Sequence, residues 1–159
     1  MLVVIGCGNL NRSDDGVGVV VIRNLMSRFE HASPQVRLFD AGTGGMEILF
    51  HARGAKQLVI VDACSSGSEP GAVFEVPGQQ LENQPKPSFN LHDFRWDHAL
   101  YAGRRTWADD FPREIIIFLI EAATLNYGLD LSPAVTAAAE TVAGRIARMI
   151  EAYPDRADA

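Results

Sequence analysis

The chain has 159 residues and a formal net charge of −6, with 47% hydrophobic and 21% charged residues. This length suits one domain with a buried core, and the acidic balance argues against nucleic acid or an anionic membrane as a main partner. The two cysteines, Cys7 and Cys64, lack CxxC spacing, which disfavours a structural zinc site or a disulfide framework. No signal or membrane-spanning segment is recognisable, so we expect a reducing, cytoplasmic compartment.

The chain opens with the pattern of a strand, a glycine-rich turn and a helix. The apolar run from Met1 to Cys7 is typical of a buried parallel strand. Ser13 or Asp14 is predicted to cap the helix that follows. The apolar face of this helix repeats every four residues and consists of Val17, Val21, Leu25 and Phe29.

The same order of elements then repeats. A second strand is predicted from Val36 to Phe39, ending at Asp40, and Thr43 is predicted to cap a second helix. A third strand, from Lys56 to Val61, also ends at an aspartate, Asp62. Strands that alternate with helices favour a mainly parallel sheet.

The middle of the chain is less regular. Residues Gly71 to Val76 alternate enough to predict an antiparallel edge strand. Residues 77–91 have no periodicity and are long enough to indicate a functional loop. A helix from about Leu91 follows, and Gly103 is predicted to stop it.

The last elements complete the predicted fold. Glu114 to Ile120 is a very hydrophobic strand, and a final helix is predicted through Ile150, with Ser132 as its cap and Pro133 at its first position. We therefore predict a three-layer α/β/α sandwich around a mostly parallel, mixed five-stranded sheet. Residues 1–153 are expected to form a single catalytic domain, and residues 154–159 a frayed tail.

Aspartates follow the predicted strands at their carboxyl ends, where α/β sheets gather their binding sites. Asp14 and Asp15 follow the first strand, Asp40 the second and Asp62 the third. Asp40 is expected to bond the backbone of its own glycine loop, since aspartate commonly does so in turns. Asp62 has no adjacent helix to cap, which favours a functional role.

The glycine-rich turn does not match a nucleotide-binding motif. A dinucleotide fingerprint needs a third glycine after Gly6 and Gly8, and this glycine is missing. A Walker loop needs a lysine at the end of the turn, and no lysine follows it. The carboxylates of Asp14 and Asp15 would also repel a phosphate at the helix N-terminus. A nucleotide-binding α/β domain therefore stands only as a third interpretation.

His92 is the histidine best placed for a metal site, in a predicted first helical turn that favours the neutral imidazole. Two carboxylates and one imidazole leave open coordination positions and suit nickel or zinc better than calcium or magnesium. A thiol nucleophile, Cys7 or Cys64 with His92 as its base, is an alternative. A buried structural thiol is the commoner case.

Four motifs occur in a fixed order along the chain. A G-x-G-N turn and an acidic pair followed by glycine are Gly6-Cys7-Gly8-Asn9 and Asp14-Asp15-Gly16-Val17-Gly18. A D-x-G-T-x-G motif is Asp40-Ala41-Gly42-Thr43-Gly44-Gly45, an apolar strand ends in Asp62-Ala63, and His92 follows a variable loop. Together these motifs resemble the hydrogenase maturation endopeptidases, over about residues 2–150.

The resemblance implies an endopeptidase that removes the C-terminal extension of a NiFe hydrogenase large-subunit precursor after nickel insertion. By position, Asp15, Asp62 and His92 match the family's nickel-binding residues, and we predict the same three as the catalytic group. The supporting loops are Gly6, Gly8, Asn9, Asp14, Asp40, Gly42, Thr43 and Gly44. The nickel would belong to the precursor, which is the expected partner, with no permanently bound cofactor. We expect the chain to act as a monomer.

Two departures from the family pattern leave alternatives open. The first ligand is usually glutamate, whereas Asp15 is one methylene shorter, so Asp14 competes for the role. Glu121-Ala122-Ala123 replaces the family's Pro-Glu after the late strand. Aspartic-type and metal-assisted hydrolysis both stay open, and the leading alternative function is a nickel-sensing binding module or chaperone that does not cut.

Overall fold

A computed structural model describes residues 1–30, 33–80 and 96–154. Its sheet is built from β1 (Leu2–Cys7), β2 (Val36–Gly42), β3 (Gln57–Cys64), β4 (Val73–Pro77) and β5 (Glu114–Glu121). The order across the sheet is β2-β1-β3-β5-β4. All neighbouring pairs are parallel except β4, which runs antiparallel to β5 at the edge. The predicted mixed, mostly parallel sheet is confirmed.

Helices cover both faces of this sheet. They are α1 (Val17–Arg28), α2 (Gly45–Ala52), α3 (Trp96–Trp107) and α4 (Pro133–Ala152). α1 packs with α4 on one face, and α2 packs with α3 on the other. None of these described helices combines the length and the apolar character that crossing a membrane requires.

The two core clusters follow from the alternation of side chains along each strand. On β1, Leu2 and Val4 lie in the cluster under α1 and α4, whereas Val3 and Ile5 lie in the cluster under α2 and α3. Because both faces are buried, the central strands are continuous apolar runs rather than alternating ones. This is why the strand pattern was readable from the sequence.

The predicted caps of the first two helices are wrong. Ser13 and Asp14 lie in a 3₁₀ turn, Ser13–Gly16, and α1 has Gly16 at its N-cap without a side-chain hydrogen bond. Gly44, not Thr43, is the N-cap of α2, again without a side-chain bond. The Asp14 carboxylate is unavailable as a cap because it binds elsewhere in the fold, as described below.

The sequence predicted that Gly103 ends the third helix, and this prediction is wrong. α3 continues to Trp107, and a Cβ placed on Gly103 would lie 2.1 Å from the ring of Phe111. This glycine is therefore needed for close packing. The predicted start of the helix near Leu91 and most of the predicted functional loop lie outside the described residues, as do residues 155–159 of the tail.

The second and third strands extend beyond their predicted ends. β2 continues through Asp40 to Gly42, and β3 continues through Asp62 to Cys64, with Asp62 paired to Leu119 of β5. Both aspartates therefore belong to the carboxyl-terminal portion of a strand rather than to the loop after it. The parallel ladder holds their backbones in place.

Candidate active site at the carboxyl edge of the sheet

The carboxyl ends of β1, β3 and β5 lie at one edge of the sheet because these strands are parallel neighbours. Asp62 lies near the end of β3, and Glu121 is the last residue of β5. The turn Ser13–Gly16, which carries Asp15, contacts β3. The predicted third member, His92, lies outside the described residues.

Glycines allow the Asp15 turn to approach the sheet closely. A Cβ on Gly18 would lie 2.2 Å from the carbonyl oxygen of Val61, and a Cβ on Gly6 would lie 2.2 Å from that of Gly18. Gly8 has φ +132°, and a Cβ there would lie 1.8 Å from the carbonyl oxygen of Asp15. No side chain fits at these positions, so the motif glycines hold the acidic turn against the sheet.

Asp14 is fully buried and saturated with hydrogen bonds. Its Oδ1 accepts from the backbone N–H of Ser132 at 2.7 Å. Its Oδ2 accepts from the Ser132 hydroxyl at 3.0 Å and from the backbone N–H groups of Ala123 and Thr124 at 2.9 and 3.1 Å. Asp14 thus joins the turn before α1 to the loop between β5 and α4, which is a structural task.

Asp15 has a different environment from its neighbour. Its side chain is partly exposed, and its Oδ2 accepts a hydrogen bond from the backbone N–H of Asn9 at 3.1 Å. A carboxylate offers about four lone-pair sites, so this bond, the one it forms with the described part of the chain, leaves capacity for a ligand. Of the two adjacent aspartates, Asp15 is therefore the better candidate for the site.

Asp62 is 4% exposed, and both of its oxygens are engaged. Oδ1 accepts from the backbone N–H of Ala63 at 2.8 Å, and Oδ2 accepts from the indole Nε1–H of Trp96 at 2.8 Å. Trp96 is itself 7% exposed and begins α3. Nothing in the sequence around Trp96 pointed to a contact with Asp62.

Asp40 behaves as the sequence predicted. Its Oδ1 accepts from the backbone N–H of Gly42 at 3.0 Å, within its own glycine loop. Its Oδ2 accepts from Nε of Arg23 on α1 at 2.8 Å. Asp40 therefore orders the second loop and ties it to the first helix.

Glu121 forms a buried cluster that sequence reasoning missed. It is 2% exposed and accepts hydrogen bonds from the Ser66 hydroxyl at 2.7 Å, from the backbone N–H groups of Ser66 and Gly67, and from the Cys64 thiol at 3.2 Å. These bonds, that of the Ser66 hydroxyl first, lower the pKa of Glu121 against the effect of burial. A glutamate at the end of a very hydrophobic strand was the available signal.

Cys64 is a poor candidate for a thiolate nucleophile. Burial, followed by the hydrogen bond and negative charge of Glu121 and by the charge of Asp62, raises the pKa of Cys64 to about 12. At neutral pH the sulfur therefore carries its proton, whereas a nucleophilic cysteine needs a lowered pKa. Cys7 is also buried.

Comparisons with known proteins agree with this architecture. A family model described as hydrogenase maturation protease matches residues 19–149. The chain belongs to the hydrogenase maturation protease family. The resemblance noted in the sequence is thereby confirmed.

Individual family members show how far the likeness extends. The hydrogenase expression/formation protein HoxM of Cupriavidus necator is 31% identical over 147 residues, which are 88% of this chain and 69% of HoxM. The hydrogenase 2 maturation protease of Escherichia coli is 26% identical over 140 residues, 87% of this chain and 84% of that protein. The chain spans a smaller share, 59%, of HupM of Azotobacter chroococcum.

Solved structures in the family share the fold. The maturating endopeptidase HybD of Escherichia coli superposes with a TM-score of 0.75 at 22% identity, covering 94% of this chain and 91% of HybD. HycI of Thermococcus kodakarensis gives 0.73 at 20% identity, covering 94% and 92%. These neighbours match the three-layer arrangement described above.

Of the three residues predicted to bind the metal, Asp15 and Asp62 belong to the described part of the chain. Within residues 1–30, 33–80 and 96–154, no three histidine, cysteine, aspartate or glutamate side chains are grouped so that they could hold a metal ion. Asp15 and Asp62 stand at the same edge, and the imidazole of the predicted set belongs to His92. The three-residue site therefore stays a prediction.

Proposed function

We propose that the chain is an endopeptidase that removes the C-terminal extension of a NiFe hydrogenase large-subunit precursor after nickel insertion. The observation that carries this proposal is the match of residues 19–149 to the hydrogenase maturation protease family. The nickel is part of the substrate in this proposal, and the chain itself holds no permanent cofactor. The two cysteines form no disulfide with each other, which favours the reducing cytoplasm as its compartment.

We propose that Asp15, Asp62 and His92 meet the nickel centre of the precursor. Two anionic oxygens and an imidazole nitrogen are a donor set that suits a borderline divalent ion. The separation of roles between Asp14 and Asp15 supports this assignment, because Asp14 is consumed by four hydrogen bonds. The contact of the acidic turn with β3 supports it as well, since Gly18 allows the chain after this turn to approach β3 closely.

Peptide hydrolysis needs a base for water and a stabiliser for the oxyanion. In the proposed reaction, a carboxylate at the site, Asp15 or Asp62, accepts the proton of the attacking water as the C–O bond forms. It then returns this proton to the peptide nitrogen as the C–N bond breaks, which leaves a carboxylic acid and an amine as products. The nickel of the substrate or a backbone N–H group would stabilise the oxyanion. Recognition of nickel would then place the scissile bond beside these groups, in an aspartic-type or a metal-assisted reaction.

The test is incubation of the protein with nickel-loaded and nickel-free precursor, followed by mass spectrometry of both products. We expect a shortened large subunit and a released C-terminal peptide from the nickel-loaded precursor alone. Asp62→Asn and His92→Ala should each abolish release, whereas Asp109→Asn, an exposed aspartate paired with Arg113, should not. Binding without release would contradict the peptidase and identify a nickel-sensing binding module.

A further inference from the structure

The indole of Trp96 and the carboxylate of Asp62 form a buried hydrogen bond across 34 residues of sequence. The Nε1–Oδ2 distance is 2.8 Å, and the two residues are 7% and 4% exposed. This bond joins the first described residue of α3 to the carboxyl-terminal part of β3. Through this bond α3 reaches the candidate site.

Packing alone does not explain a tryptophan at this position. The ring lies in the core cluster under α2 and α3, beside apolar neighbours that phenylalanine or leucine would also satisfy. The indole N–H is what those residues lack, since tryptophan is a hydrogen-bond donor at Nε1. A buried carboxylate gains more from such a donor than a neutral group does.

Two hydrogen bonds from described residues, one on each oxygen, hold the Asp62 carboxylate. Oδ1 is held by the Ala63 N–H on its own strand, and Oδ2 is held by Trp96 from the neighbouring layer. Because the indole is neutral, it orients the carboxylate without cancelling its charge as an arginine would. Asp40, by comparison, accepts its side-chain hydrogen bond from the charged guanidinium of Arg23.

We propose that Trp96 is a positioning residue, which holds the Asp62 carboxylate in the orientation in which it meets the nickel of the substrate. Hydrogen bonds from outside the ligand set commonly orient metal-binding carboxylates, and their loss typically weakens binding or activity about 10- to 100-fold. This inference rests on the proposed function only in naming the substrate. The geometric claim concerns Trp96, Asp62 and a divalent ion.

A spectroscopic test uses the native contact. The chain has two tryptophans, so a proton–nitrogen NMR spectrum contains two indole N–H signals, and Trp107→Phe assigns them. Titration with Ni²⁺ alone should selectively broaden the Trp96 signal, because the paramagnetic ion would bind the carboxylate that this indole contacts. Asp62→Asn should remove the selective broadening. No selective broadening in the unmodified chain would overturn the proposal.

A second measurement compares the two tryptophans as matched variants. Trp96→Phe keeps an aromatic ring but removes the donor, and Trp107→Phe makes the same chemical change at the far end of the same helix. We expect Trp96→Phe to weaken Ni²⁺ binding by about tenfold and to lower kcat/KM for the precursor by about 10- to 100-fold. Equal Kd and equal kcat/KM in the two folded variants would overturn the proposal.

The peptidase function and the role of Trp96 can fail independently of each other. If the unmodified chain releases no peptide from nickel-loaded precursor, the peptidase assignment fails, while the NMR titration still decides the role of Trp96. If Trp96→Phe does not fold, the titration of the unmodified chain decides it as well. The two claims are therefore tested separately.

Discussion

Ser132 donates two hydrogen bonds to Asp14, one from its backbone N–H at 2.7 Å and one from its hydroxyl at 3.0 Å, across 118 residues of sequence. The contact fastens the N-terminus of α4 to the turn before α1. Ser132 occupies the N-cap position with Pro133 next to it, as the sequence predicted, but its hydroxyl serves Asp14 instead of the helix. The carboxylate of the adjacent Asp15 takes no part in this contact.

Replacing Asp14 and replacing Asp15 should therefore change the stability of the protein by different amounts. Asp14→Ala leaves buried donors on Ala123, Thr124 and Ser132 without an acceptor, so we expect a loss of about 3 kcal/mol or more in the free energy of unfolding. Asp15→Asn keeps an acceptor oxygen and should cost less than about 1 kcal/mol. Urea denaturation of both variants measures the difference. Equal losses would refute the assignment of Asp14 as the structural member of the pair.

Two helical glycines should respond in opposite directions to replacement by alanine. A Cβ on Gly18 would meet the carbonyl oxygens of Val61 and Cys7 at 2.2 and 2.3 Å, so Gly18→Ala should destabilise the fold by about 3 kcal/mol. A Cβ on Gly144 of α4 would meet nothing within 4 Å, so Gly144→Ala should stabilise the fold by about 0.5–1 kcal/mol. Thermal and urea unfolding report both. A tolerated Gly18→Ala would show that α1 does not need its close approach to β3.

Glu121 should make stability depend on pH through Ser66. The folded-state pKa of Glu121 lies below its ordinary value of 4.5, chiefly because the Ser66 hydroxyl donates to it. A lowered pKa contributes stability that is fully present above pH 4.5 and is lost as pH falls through the folded pKa. Ser66→Ala should therefore be less stable than the unmodified chain at pH 7, and the difference should shrink towards pH 3.

Urea unfolding at several pH values between 7 and 3 tests this expectation. Ser68→Ala is the control, because the Ser68 hydroxyl contacts Ser66 rather than Glu121. A stability difference for Ser66→Ala that stays constant over this pH range would show that its bond to Glu121 is not linked to protonation.

Cys64 should react slowly with alkylating reagents. Burial and Glu121 raise the pKa of its thiol to about 12, so at pH 8 the thiolate is a very small fraction. We expect iodoacetamide to leave Cys64 largely unmodified in the native chain and to modify it fully in urea, as read by peptide mass mapping. Glu121→Gln should speed the reaction, although burial, the larger cause, would still slow it. Rapid native alkylation would contradict the protected thiol.

Local patterns in the sequence determined the frame of this protein. Apolar runs identified the central strands and the parallel sheet, because both faces of that sheet are buried and nearly every position must be apolar. The order of the motifs identified the family, and turn chemistry identified Asp40, since its acceptor bond lies only two residues away along the chain. His92 and the three-residue site stay predictions.

Tertiary structure decided which polar groups work together. Asp62, Glu121 and Asp14 each have a hydrogen-bond partner far away in sequence, at 34, 57 and 118 residues, on elements that meet only after the layers pack. The predicted Asp14 cap failed for the same reason, because donors on Ala123, Thr124 and Ser132 bind its carboxylate once the layers have packed. Only the fold could separate Asp14 from Asp15, since the two are identical in chemistry and adjacent in the chain.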